Sequence, residues 1–347
     1  MNAKDANNTQ DTEDGRSLGF AVKTLNATKA VGHANLTLVP LSGPRAGRLD
    51  YILSAEAIEA GTLTITEVSE DGSVPELLAV NEGAQLVLLL DGEELVGAKQ
   101  NRIMNTSVLL RRGSRTRIPV SCVEQGRWHH TTRNFASGGC SPSFLRQRKS
   151  RNVSRQLRET GQARSDQGQV WESVEESMAS LCATSPTMAM SDAVRQRREA
   201  FEPYVNALGY PRGARGVIAA VNGRFAAADI FDRPETLECI WPRLITGYAM
   251  DAVACKSPDP GAASRSLTAR GAMALLEHVG EIGCDVCPSV GMGKDWRFEA
   301  KDVVGQSLVV GRACVHLSAF PNDDLHKDNQ RPSRIVPPSR RRPRRNS

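Results

Sequence analysis

The chain has 347 residues, 40% hydrophobic and 24% charged, with a formal net charge of +5. That is enough for one large domain or two small ones with a core of ordinary size. The basicity belongs to one end: residues 331–347 hold seven arginines and no acid, and removing those seven from +5 leaves −2 on residues 1–330. Affinity for nucleic acid or anionic surfaces is therefore expected only nonspecifically, through the tail.

Only 5% of residues are aromatic, so the core must be largely aliphatic. Residues 1–30 are rich in Asn, Asp and Thr and have no apolar run resembling a signal peptide, and no stretch approaches 18 apolar residues. These features predict a cytoplasmic protein with no membrane partner. The eight cysteines (122, 140, 182, 239, 255, 284, 287 and 314) are then expected to be reduced, mostly small buried apolar residues. Residues 1–30 and 322–347, the latter with four prolines and seven arginines, predict disordered tails around a single domain at 31–321.

In chain order, Asn35-Leu-Thr-Leu-Val-Pro-Leu41 alternates as a strand. Ser54 as N-cap, Leu53 with Ile58 as a hydrophobic staple, and Gly61 at a left-handed C-cap predict a short helix. From Leu63 to Val123 the pattern is β, with strands near Leu63–Ile65, Val74–Val80 and Leu86–Leu90. Asp91-Gly92 reads as a type I′ hairpin turn into a return strand from Glu94 to about Arg102. Strands at Val108–Leu110 and Arg117–Val123 follow.

Residues 137–168 change character. Arg146, Arg148, Lys149, Arg151, Arg155, Arg158 and Arg164 predict an exposed, basic, partly helical connection. Asp166 and Gln169 form a capping box for a helix with Val170, Val174, Met178 and Leu181 on one stripe. A helix over Asp192–Leu208 should bend at Pro203. Gly216–Val221 and Arg224–Phe231 read as strands joined by the tight turn Asn222-Gly223. Pro234, behind an Asp232 cap, opens a helix carrying Leu237, Ile240, Trp241, Leu244, Ile245 and Tyr248, kinked at Pro242. After a loop at 257–266 come a short helix ending near Val279 and strands around Trp296–Lys301, Gln306–Val310 and Ala313–Phe320. The class is α+β, with an antiparallel sandwich-like or partly rolled sheet core and several packed helices.

The segment Asp91-Gly-Glu-Glu-Leu-Val-Gly-Ala-Lys-Gln-Asn-Arg102 is unusually polar for a strand following an apolar one. If regular, it puts Glu94, Gln100 and Arg102 on one face and Glu93, Lys99 and Asn101 on the other. The functional reading is a pocket with a carboxylate for proton transfer and a guanidinium for phosphate. The bland reading is an edge strand whose charges deter aggregation. In the second cluster, Cys122-Val-Glu-Gln-Gly-Arg-Trp-His-His130, Glu124, Arg127 and Trp128 combine an acid, an anion-binding fork and a stacking surface, with Gln125 beside them. Cys284, Cys287, Cys314 and His316 are the best zinc-ligand set, but the lone CxxC and its wide separation favour ordinary buried cysteines, and no cofactor is expected.

Three runs carry a resemblance: Leu90–Arg102, Ile118–Trp128, and Ser165-Asp-Gln-Gly168 followed by Val170-Trp171. Together they resemble the signature of the ARG and rhodanese-phosphatase-superfamily-associated domain family, over about residues 35–320. The family's name implies association with ADP-ribosylglycohydrolase-like and rhodanese-phosphatase-like proteins, hence a role near ADP-ribose or NAD-derived metabolites, with no established catalytic residues. The leading expectation is one shared site for a phosphorylated nucleotide-derived ligand, with Glu94 and Glu124 as its acid–base pair. Glu93, Lys99, Gln100, Asn101, Arg102, Gln125, Arg127 and Trp128 would line it. The competing expectation is a non-enzymatic module that docks a partner protein through an exposed 91–102 strand.

Overall fold

The computed structural model describes residues 17–69, 75–255 and 267–322. The first part runs α1 (Gly19–Val22), β1 (Asn26–Ala27), β2 (Val31–His33), β3 (Leu36–Ser42), β4 (Tyr51–Leu53), α2 (Ser54–Glu59), β5 (Leu63–Glu67), β6 (Glu76–Asn81) and β7 (Leu86–Leu89). It continues with β8 (Glu93–Gly97), β9 (Arg102–Met104), β10 (Val108–Leu110), β11 (Ser114–Cys122), β12 (Phe135–Cys140), α3 (Ser143–Thr160), α4 (Gln167–Ser180), α5 (Met190–Gln196) and α6 (Arg198–Ala207). The last third comprises β13 (Gly216–Val221), β14 (Arg224–Phe231), α7 (Pro234–Ala254), α8 (Ala269–Glu281), β15 (Cys284–Pro288), β16 (Lys294–Glu299), β17 (Val303–Val310) and β18 (Ala313–Pro321).

Every residue of β13 is buried, as an apolar strand covered on both faces must be. It sits inside a large antiparallel sheet ordered β1-β3-β13-β14-β18-β17-β16-β15, with β2 also on β3. One face carries Val39, Leu41, Ile218, Ile230 and Leu317 and is covered by Leu18, Val22, Leu276 and Val279 of the α1 and α8 regions. The other carries Leu38, Val217, Phe231 and Val315 and packs on apolar residues of α3, α4, α6 and α7. A second sheet, β12-β8-β9-β11-β6-β5, curls: β12 packs against β5 although the two lie at opposite ends of its order. Its interior, lined by Leu77, Leu95, Met104, Ile118 and Phe135, is closed by Val87, Leu89, Val108 and Leu110 of a small sheet β10-β7-β4. The architecture is α+β with a rolled antiparallel component, as the strand spacing implied.

Several local expectations hold for the reasons given. Asn222 (φ 51°) and Gly223 (φ 74°) form the two-residue turn between β13 and β14. The Asp166 carboxylate accepts from Gln169 N–H at the start of α4, whose Val170, Val174 and Met178 are buried. Pro234 opens α7.

Others are corrected. Asp91-Gly92 makes a turn, closed by Glu93 N–H donating to Leu90 O, but no hairpin: β7 pairs with β10 and β4, while β8 pairs with β9 and β12. The dipeptide is a corner between sheets, and Gly92 is required because a Cβ there would lie 2.6 Å from the Arg146 side chain. Ser54 is the first helical residue rather than the cap, and its hydroxyl donates to Glu93. The Asp232 carboxylate accepts from Tyr51 instead of capping α7. The expected helix over 192–208 is two helices broken at Arg197, α5 and α6, with Pro203 inside the second. Three of the cysteines, 122, 255 and 314, are buried. The packed body begins before residue 31, since Leu18, Val22 and Leu25 are core residues. Residues 1–16 and 323–347, the loop at 257–266 and the start of the strand expected at Val74 lie outside the described residues.

The largest correction concerns 137–168, which holds β12 and the 18-residue α3. The helix crosses the large sheet from β14 to the β15–β16 edge. Arg146 and Lys149, one turn apart, are fully buried. Arg146 donates to both Asp229 carboxylate oxygens, at 2.6 and 3.0 Å, and Lys149 donates to Asp91. At the far end, half-exposed Arg158 reaches Glu299 at 3.1 Å. Asp251 of α7 accepts from Ser143 N–H at 2.8 Å and so terminates the helix within the core. Removing one partner of a buried pair strands the other charge, at about 3–5 kcal/mol, whereas an exposed pair contributes at most about 1 kcal/mol. Asp229→Asn is therefore expected to lower unfolding stability by about 3–5 kcal/mol in urea melts, and Arg158→Ala by less than about 1 kcal/mol; equal losses would contradict this division.

Candidate functional site

The polar segment after β7 folds as a hairpin rather than one long strand. Gly97 (φ 129°) and Ala98 (φ 41°) turn the chain with positive φ, and β9 returns antiparallel to β8, pairing Leu95 with Arg102 and Glu94 with Ile103. At Gly97 a Cβ would fall 2.4 Å from Thr132 Oγ1, so the loop before β12 closes over the turn. The expected alternation ends at this turn. Glu94 and Asn101 therefore share one side of the hairpin, while Arg102 faces the interior of the curled sheet.

The 94–102 and 122–128 segments converge. The Glu124 carboxylate accepts from Asn101 N–H at 3.0 Å, from Arg127 Nη2 at 2.6 Å and from Thr187 Oγ1 at 2.8 Å. Asn101 also donates to Ser191 Oγ at 3.0 Å and, at 3.5 Å, to Glu94. Arg127 is consumed by this hub: besides Glu124 it donates to Ala98 O, Gly97 O, Asn101 Oδ1, His129 O and Thr131 Oγ1. All its donors are engaged within the protein, so it ties the two loops together and presents no open fork to an anion. Gln125 is exposed beside it.

Glu94 has the most altered chemistry of the group. Burial, then the nearby negative charge of Glu124, push its pKa up to about 7. Burial acts in the same direction on Glu124, but hydrogen bonds from Arg127, Asn101 and Thr187 outweigh it and hold that carboxyl below its usual range. At neutral pH one member of the pair is ionised and the other half protonated.

On the opposite face lies a second polar group. Arg102 is fully buried, and its Nη1 donates to Gln100 O and Gln100 Oε1, both at 3.2 Å. Cys122 Sγ donates to the same Gln100 oxygen at 2.8 Å. Burial raises the Cys122 thiol above its ordinary range, so it stays protonated. Arg102 Nη2 lies 3.5 Å from Glu67 Oε1. Above this pair stands Trp128, 49% exposed, with Arg102 Cζ at 5.8 Å and Lys99 Nζ at 5.5 Å from its ring centroid. Glu67 was legible in principle: Leu63 and Ile65 alternate inward, and one further step places Glu67 on the core face.

Glu93 belongs elsewhere. It accepts from Ser54, from Leu90 N–H at 3.1 Å and from Ser137 at 2.6 Å, with Arg243 at 3.5 Å. Glu93, Leu90 and Arg243 border a recess that reaches Cys140, Arg146, Asp229 and His316. Asp91 N–H donates to Ser107 Oγ at 2.9 Å, and Ser107 in turn meets His316 Nδ1 at 2.7 Å. His316 Nε2 meets Asp229 at 3.1 Å. A serine, imidazole and carboxylate in line is also the arrangement of a nucleophile relay. Here, however, Ser107 is 3% exposed and does not line the recess. The recess itself, at about 10 Å³, has room for about one water. Asp229 is further held by Arg146 and by Tyr248 OH at 2.5 Å. This chain of bonds fixes the packing between the sheets.

Cys284 and Cys287 lie on β15 and Cys314 and His316 on β18, with β16 and β17 between them. Two intervening strands hold the two halves roughly 14 Å apart, from a strand spacing of about 4.8 Å. No group of three metal-ligating side chains occurs among the described residues. No helix among them is long and apolar enough to cross a membrane.

A curled antiparallel sheet with a polar hairpin at its rim, backed by a helix-covered second sheet, defines a mixed α+β protein and leaves its relatives open. A family model described as ARPP-1, the ARG and Rhodanese-Phosphatase-superfamily-associated Protein domain, matches residues 24–320, and the chain belongs to that family. No curated protein and no solved structure matches the chain.

A carboxyl with a folded-state pKa above its ordinary 4.5 contributes stability at pH below 4.5 that is lost as pH rises to about 7. Glu94→Gln, which cannot ionise, should match the wild type near pH 4.5. By pH 8 it should exceed it by up to about 3 kcal/mol in urea melts. Parallel pH profiles for the two proteins would show that Glu94 is not held protonated.

Proposed function

We propose that the protein binds a small phosphorylated nucleotide-derived ligand, of the class of ADP-ribose or NAD-related metabolites, at the Trp128 side of the 94–102 hairpin. The observation that carries the proposal is Trp128: a half-exposed indole set over two cationic side chains, Lys99 and Arg102. A nucleobase stacks on such a ring for about 1–3 kcal/mol, and the Lys99 ammonium beside it suits a phosphate. Arg127 and Glu124 serve it indirectly by pinning the loop that carries Trp128. Glu94 and Asn101 lie across the hairpin from Arg102, so binding, not catalysis, is the function assigned. The family's description, which records association with ARG and rhodanese-phosphatase proteins, fits a ligand of that class. We also place the protein in the cytoplasm, where cysteine thiols stay reduced.

Calorimetric titration of the whole protein with ADP-ribose, NAD and AMP tests this. At least one should bind, and Trp128→Ala should weaken that binding about tenfold or more with an unchanged circular dichroism spectrum. No heat from any of the three, or equal affinity in Trp128→Ala, would overturn the proposal.

A further inference from the structure

Beneath Trp128 the buried Arg102–Glu67 pair is incompletely bonded. Arg102 Nε and Nη2 and both Glu67 carboxylate oxygens have no hydrogen-bond partner among the described residues. Both side chains are more than nine-tenths buried, at 0% and 5% exposure. Their closest approach, 3.5 Å between Nη2 and Oε1, is outside the range of a well-made charge-assisted hydrogen bond. A buried ion pair is favourable only when further hydrogen bonds meet its remaining donors and lone pairs, and each unmet buried polar group costs about 1–3 kcal/mol. Two donor nitrogens and two acceptor oxygens therefore lie side by side with unmet hydrogen-bonding capacity. Their chemistry is selective. Glu67 repels a phosphate or carboxylate, and Arg102 repels an ammonium. A neutral group that both donates and accepts satisfies both partners.

We propose that this pair is the ribose-recognition element of the site: a vicinal diol donates its two hydroxyl hydrogens to the Glu67 carboxylate and accepts from Arg102 Nε–H and Nη2–H. The assignment rests on the nucleotide-binding reading given above and specifies which part of the ligand enters. The base stacks on Trp128, the diol reaches the buried pair, and the phosphate stays at the rim near Lys99. Trp128 lies over Arg102, so the indole swings aside to admit the diol and then stacks on the base. Gln100 and Cys122 hold the Arg102 guanidinium through Nη1 and leave the other two nitrogens directed at the guest.

The test compares AMP with 2′,3′-dideoxy-AMP on the wild-type protein by calorimetry. Loss of both hydroxyls should weaken binding at least 30-fold, on the order of two lost charge-assisted hydrogen bonds. Glu67→Gln, which removes the anionic acceptor, should narrow the discrimination between the two nucleotides. A wild-type crystal soaked with AMP provides a second readout that needs no folded variant: the ribose hydroxyls should lie within hydrogen-bond distance of the Glu67 carboxylate. Equal affinity for the two nucleotides, or a ribose seated away from Glu67, overturns the diol assignment and leaves nucleotide binding standing. Binding of neither nucleotide removes the diol assignment too, and then the ADP-ribose and NAD titrations decide the broader reading.

Discussion

The structure depends on two cations from one turn of α3 being taken out of water and matched to carboxylates from different sheets. Arg146 meets Asp229 in the large sheet, and Lys149 meets Asp91 at the corner leading into the curled one. Burial raises the Asp91 carboxyl, but the charges of Lys149 and Arg146 outweigh it, so Asp91 remains ionised. An unmatched ion at this depth is not tolerated, so the helix, both carboxylates and the Gly92 corner must be in register together. Tyr248, His316 and Ser107 extend the same constraint sideways through short hydrogen bonds. The rest of the architecture, including the hairpin that carries the candidate site, hangs from this junction.

The hairpin separates two chemistries. On one side a carboxyl pair is linked through Asn101 and Arg127, and every donor of that arginine is used. On the other, an arginine and a glutamate retain unused hydrogen-bonding capacity below an accessible aromatic ring. A saturated arginine builds a loop, and an unsaturated one is available to a ligand. In the proposed site that difference moves the binding role from Arg127 to Arg102, although the two are equally arginine in the sequence.

The strands and most helices could be read because their residues obey a simple period. Leu63 and Ile65, the Asn222-Gly223 turn and the Val170–Val174–Met178 stripe each report local geometry that tertiary packing did not alter. The basic stretch around Arg146 could not be read so, because charge density predicts solvent unless the partner carboxylates are known, and Asp229 lies 83 residues away. Asp229 and His316 did leave a trace, as polar residues within largely apolar strands. For the candidate site, shared polarity singled out 94–102 and 122–128 as segments, but their convergence could not be read, because it depends on contacts between distant positions such as Asn101 and Glu124. The division of those residues between two faces was not legible either, because it turns on the positive φ of Gly97 and Ala98 and on the hairpin they create.

The capping of α3 by Asp251 bears on how the chain reaches this state. Ser143 and Asp251 are 108 positions apart, so the amino end of α3 cannot be completed until α7 has arrived. Contacts of such sequence separation make for slow folding. A ribosome-bound intermediate lacking α7 would display an unfinished helix end, a natural target for a chaperone during synthesis.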